Sequence, residues 1–282
     1  MTFPKEYRQT ANPLRGLSVL EVTVLSALKS TKAKLITLLG LVPPVIVVAF
    51  ALFQPMSASQ IDTVTQDDIR QMFTQGFSVF YLILFGWMTV LIMATSLIAD
   101  EKRDRTLSYF LTRPISRTEF LIWKWLSLEI ILAMIYLIPV LSFYVAMEGG
   151  LGLNEQDLAR SVEDIINNGE VAVHAYYVLF IITSAYGALL LFIGLTIDRP
   201  IIVGGLFLFG EFLFLRGLMI SLNLEWFSLS AHAQNIFEEF LYFQGPPEDF
   251  PFSVLESYLT YSLVIIGSLL ASIFVMRGMD FP

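Results

Sequence analysis

The sequence predicts an all-α polytopic membrane protein, with six transmembrane helices, an N-terminal amphipathic interfacial helix and a cytoplasmic helical hairpin between spans two and three. Three observations carry this. Six apolar stretches, 35–53, 77–98, 128–147, 174–195, 201–220 and 257–276, each reach the roughly 20 residues a helix needs to cover a hydrocarbon core of about 30 Å. Composition points the same way: 56% hydrophobic residues, 15% charged and a mean hydropathy of +0.69 leave no material for a large water-facing domain. Finally, fourteen of the seventeen lysines and arginines lie before the first stretch, between the second and third, or at Arg199 and Arg277, whereas the alternate loops hold only Arg70 and Arg160. Because positive residues stay on the cytoplasmic side, both termini are expected inside, as six crossings also require.

The chain reads as one transmembrane domain, residues 1–282. In order, its first element is a leader over 13–34, where Leu17, Leu20, Val24 and Leu28 recur at helical spacing beneath Ser18, Glu21 and Lys29. That pattern predicts a helix lying along the inner headgroups. No cleavable signal is expected, since the first apolar run begins only at Leu35. Pro43 and Pro44 in span one and Pro139 in span three predict kinks. Between spans three and four, Asn154 is expected to cap an interfacial helix ending at Gly169, and 231–243 predicts a second such helix on the outer surface.

The fifth stretch carries Glu211 and Arg216. At 1.5 Å per residue Glu211 lies about 15 Å from Ile201, near the midplane, and Arg216 about 22 Å. A carboxylate facing lipid costs on the order of 3 kcal/mol, so Glu211 is expected to face the bundle, a partner or a hydrated pathway. The two are five residues apart and lie on different faces, which argues against a salt bridge between them.

The loop 99–120 carries the densest motif. Leu107, Phe110 and Leu111 share one helical face, Pro114 ends that helix, and Ser116 with Glu119 forms a capping box that starts the next. A hairpin this small cannot bury its own apolar face, so it suits docking into another protein. A basic patch backed by stacking aromatics on a wetted surface is missing, which excludes a nucleic-acid partner. The inner basic excess favours membrane lipids with anionic headgroups. His174 and His232 lack metal-ligand spacing to other donors, so neither a catalytic nor a metal site is expected.

In this loop Glu101, Thr106, Leu107, Leu111, Pro114, Ile115, Ser116, Arg117 and Lys124 occur in an order that resembles the permease subunits of type 2 ATP-binding-cassette (ABC) transporters. Arg105 replaces the glycine usual in that family. The leader with Glu21 and the C-terminal Phe274, Arg277 and Asp280 extend the likeness.

The resemblance implies a permease, an exporter by default, that performs no ATP chemistry. The chain has no G-x-x-x-x-G-K-[ST] phosphate loop. ATP and Mg would then belong to a separate ABC ATPase subunit, two copies of which would pair with two permeases, either a second copy of this chain or a paralogue. Glu21, Glu101, Arg105, Thr106, Leu107, Pro114 and Arg117 are expected at the ATPase-coupling interface, and Glu211 with Arg216 along the transport path. The alternatives are an ion-coupled secondary transporter, which would want an inverted repeat and midplane polar sites, and a membrane anchor or sensor that recruits an ATPase without transport.

Overall fold

The computed structural model describes residues 13–53, 66–103, 116–155, 163, 165–211, 216–222, 224–241 and 251–278, and every regular element among them is helical. Among the described residues five helices are long and apolar enough to cross a membrane: Thr31–Phe50, Gln71–Arg103, Arg117–Gly149, Gly169–Thr196 and Val254–Gly278.

Helix α1 (Pro13–Lys29) is the expected leader, but its inward face is offset from the predicted one. Val19, Thr23 and Val24 are buried and Leu17 is exposed, because α1 packs against the helix of the third span. It ends before the predicted Lys34. Ser30 stops it and caps α2 (Thr31–Gly40), its hydroxyl accepting from the Ala33 N–H at 3.2 Å.

The first span is broken, as its prolines predict. After α2 the chain passes Leu41 and resumes as α3 (Val42–Phe53). Pro43 and Pro44 have no N–H to offer Leu39 and Gly40, one turn earlier. The Gly40 carbonyl takes its hydrogen bond from Tyr81 of the second span.

That second span runs from α4 (Gln66–Gly76) through a π-helical stretch, Phe77–Gly86, into α5 (Trp87–Arg103). A π-helix closes i→i+5 bonds, so its turns are wider and residues four apart nearly align. Phe77, Tyr81 and Phe85 stand in such a row, fully buried, with successive ring centroids 5.4 and 5.5 Å apart. The row packs where span one breaks and beside Pro139, which lies inside the continuous helix of span three. A Cβ on Gly40 would come within 2.6 Å of the Phe85 ring and 2.8 Å of Pro139, so only glycine permits this approach.

Helix α6 (Arg117–Glu155) starts at the predicted capping box. The Ser116 N–H donates to Glu119 Oε2 at 3.0 Å, and the Glu119 N–H donates to Ser116 Oγ at 3.1 Å. It continues through Asn154, which therefore does not cap a new helix; helix at 165–167 ends in a turn at Asn168, as expected, and Gly169 opens α7 (Gly169–Thr196). Most of the intervening segment, including Leu158 and Val162, lies outside the described residues.

The core is arranged around α7, which is packed on several sides by α5, α6, α10 (Leu229–Leu241) and α11 (Val254–Gly278). Of the fifth apolar stretch, helix α8 (Pro200–Gly210) covers about 16 Å, Glu211 follows with helical backbone, and α9 (Arg216–Ser221) is helical; residues 212–215 between them lie outside the described residues. The outer helix predicted over 231–243 begins two residues earlier, and it is inserted rather than lying on the surface. Ala231, His232, Asn235, Ile236 and Phe237 are all buried against α7 and α11. Its polar side chains find partners inside the bundle, which apolar periodicity alone does not reveal.

Candidate coupling junction and intramembrane carboxylates

Three consecutive residues at the end of α5 reach three different neighbours. Asp100 pairs with Lys32 of α2 at 2.6 Å, and Lys102 with Asp198 of the α7–α8 turn at 3.1 Å. Both pairs are solvent-exposed, and each contributes about 0–1 kcal/mol. Between them Glu101 pairs with Lys124 of α6 at 2.5 Å, and Lys124 also donates to Thr23 Oγ1 of α1 at 2.9 Å. Lys124 is 1% exposed. This buried cation thus lies under the leader, tying α1, α5 and α6 together where the loop 104–115 departs.

The expected coupling residues are therefore placed in different ways. Glu21 is exposed on α1. Glu101 is turned inward onto Lys124. Arg117, at the other end of the loop, donates to the Met276 and Arg277 carbonyls at 2.8 and 3.1 Å and so closes the C-terminus of α11. Arg105, Thr106, Leu107 and Pro114 lie outside the described residues, as does the side chain of Arg216, which opens α9.

Within the bundle Glu211 is buried, as expected, and its carboxylate is well supplied with donors. Its Oε1 accepts from Ser228 Oγ, Ser230 Oγ and the Ser230 N–H, all at 2.9 Å, and Oε2 accepts from Tyr186 at 3.2 Å. Ser230 lies in the first turn of α10, so the carboxylate sits at the positive end of that helix dipole. Ser228 caps the same helix, accepting from the Ala231 N–H at 3.2 Å. Glu211 lies eleven residues from the start of α8 and Tyr186 ten from the end of α7, so both counts place it about 15 Å deep. From α9 the chain re-enters the bundle to bring α10 to that level. Before α10 the chain exposes Leu224, Trp226 and Phe227, and only at Ser228 does it become buried.

A second intramembrane carboxylate, Glu129 of α6, was not among the expected site residues. It is 6% exposed and accepts from Ser184 of α7. The span boundary drawn at Leu128 made it an edge residue; counting from the capping box at Ser116 instead places it about 18 Å along α6, well inside.

Five long apolar helices among the described residues, with buried carboxylates at mid-depth and a basic, cross-linked end, mark a multi-pass membrane protein. The family whose model is described as ABC-2 family transporter protein matches residues 14–280, and the chain belongs to it. It is thus the membrane component of an ABC transporter and not the ATPase. None of the curated proteins matches the chain.

Proposed function

We propose that this chain is the permease subunit of an ATP-driven exporter, in which spans two and three transmit ATPase closure into the bundle. The observation that carries the reading is the Lys124–Glu101–Thr23 junction, which gives the base of the loop a firm seat on the leader and on two spans. In this reading the chain crosses the cell membrane six times, with α8 and α9 making the fifth crossing, and both termini are cytoplasmic. The loop 99–120 and α1 rest on two ABC ATPase subunits, which supply ATP and Mg, and a second permease completes the path.

The coupling surface comprises Glu21, Arg105, Thr106, Leu107 and Pro114, with Glu101 and Arg117 holding its two ends. Glu211 and Arg216 belong to the transport path, where Glu211 at mid-depth seats α10. Rigid-body rocking driven through the loop would alternate access to that path.

Affinity purification from native membranes, followed by mass spectrometry and an ATPase assay, tests the proposal. A stoichiometric phosphate-loop ATPase that is lost on Leu107→Asp is the expected result. A permease that purifies alone in several detergents would sink it. An ATPase that binds and turns over without moving cargo across a vesicle would make the chain an anchor instead.

A further inference from the structure

A cavity of about 520 Å³ opens between the end of α5 and the start of α8, away from the Glu101–Lys124 junction. Its walls change character from one side to the other. Lys102, Arg103, Asp198 and Arg199 form the polar side, whereas Ile201 and Ile202, both more than half exposed, form the apolar side. In a membrane protein such apolar exposure at a span end means contact with acyl chains, so the cavity straddles the headgroup boundary. The lysine and arginine bias assigns this end of the bundle to the inner leaflet.

The charge balance inside the cavity selects the ligand's sign. Asp198 is matched by Lys102, and Asp100 by Lys32 and Arg103. The Arg199 guanidinium has no ion-pair or hydrogen-bond partner among the described residues and stands exposed at the cavity wall. The adjoining α8 begins at Pro200 without a side-chain cap, and its dipole adds positive potential in the same sense. An unmatched cation above an isoleucine wall at headgroup depth complements an anionic headgroup carrying acyl chains.

We propose that this cavity binds an anionic phospholipid of the inner leaflet, its phosphate on Arg199 and its acyl chains along Ile201 and Ile202. Basic pockets between membrane helices on the cytoplasmic side recognise such headgroups. The occupant would lie between α5, which leads into the loop, and α8, which leads to Glu211. The binding itself does not depend on transport.

The test is native mass spectrometry of the full-length protein reconstituted in phosphatidylcholine nanodiscs doped with phosphatidylglycerol and then released into neutral detergent. Wild type should retain phosphatidylglycerol over phosphatidylcholine. Arg199→Ala should reduce that preference about fivefold, the factor one guanidinium near an anionic surface supplies. Lys29→Ala removes a charge at the same face outside the cavity and should leave the preference unchanged. Ile202→Trp, which fills the cavity with its charges kept, should reduce retention of both lipids and decides the matter should Arg199→Ala not fold. Equal retention of the two lipids by wild type, an undiminished preference in Arg199→Ala, or an equal loss in Lys29→Ala would overturn the proposal. Full displacement of lipid by millimolar inorganic phosphate would also overturn it, by showing a soluble-anion site.

Discussion

The Tyr81 hydroxyl lies 2.8 Å from the Gly40 carbonyl, the acceptor that Pro44 leaves without its helical donor. The same hydroxyl lies 3.1 Å from the Pro139 carbonyl. One donor from the π-helical stretch therefore serves the break in span one and a carbonyl of span three.

Tyr81→Phe keeps the ring stacking and removes only that donor. In apolar surroundings an unsatisfied carbonyl costs about 1–3 kcal/mol, and membrane measurements average nearer ~0.6. A lower thermal midpoint in detergent is expected, with a larger loss for Gly40→Ala, whose added methyl meets Phe85 and Pro139. Tyr81→Phe melting at the wild-type temperature would show the hydroxyl to be dispensable.

Lys124→Met strands the Glu101 carboxylate under α1. Breaking a buried ion pair from one side costs about 3–5 kcal/mol, while replacing both partners by apolar residues is often neutral. The pair Glu101→Leu/Lys124→Met should therefore recover most of the stability lost by Lys124→Met, read by thermal melting. A double variant as unstable as the single one would contradict this account.

Glu211→Gln retains an acceptor for the serines but loses the charge at the head of α10, a difference of about 0.3–2 kcal/mol. Glu211→Ala loses both. Hydrogen exchange in Leu229–Leu241 should rise modestly in the first and strongly in the second. Equal protection in both would remove Glu211 from the seat of α10.

Arg117→Ala should release the last turn of α11, seen as faster hydrogen exchange over 272–277. Ser116→Ala should fray only the start of α6, at a cost of about 1 kcal/mol. If the Arg117 variant changes ATPase binding without altering exchange in α11, its role is at the partner surface rather than at the helix end.

Much of this architecture was legible because the strongest signals are local. The Ser116–Glu119 box, the leader helix and the break at Pro43 and Pro44 each depend on residues within a few positions of one another; the box and the break stand where the pattern placed them, and the leader is present with its buried face shifted. What spacing does not carry is which way a half-polar helix faces. Leu229–Leu241 has the periodicity of a surface helix, yet Ser230 and Asn235 are met by Glu211 and Ser257 from elsewhere in the chain, so it lies inside. Glu129 was obscured for a related reason, since a window that begins at an apolar residue treats a neighbouring carboxylate as its border. Lys124, quoted as part of a motif, has a structural role visible only once Thr23 and Glu101 are brought to it.

Ser184 and Tyr186 lie two residues apart on α7, about 200° around its axis, and hold Glu129 of α6 on one side and Glu211 beside α10 on the other. The central helix therefore acts as a depth gauge for its neighbours. A slide by one turn, about 5.4 Å, would pull either carboxylate off its hydroxyl and leave it without that partner in a dry interior. Vertical register is thus set in the middle of the bundle, at the level of Ser184 and Tyr186. This arrangement opposes travel along the helix axes and leaves rocking, rather than sliding, as the motion it resists least.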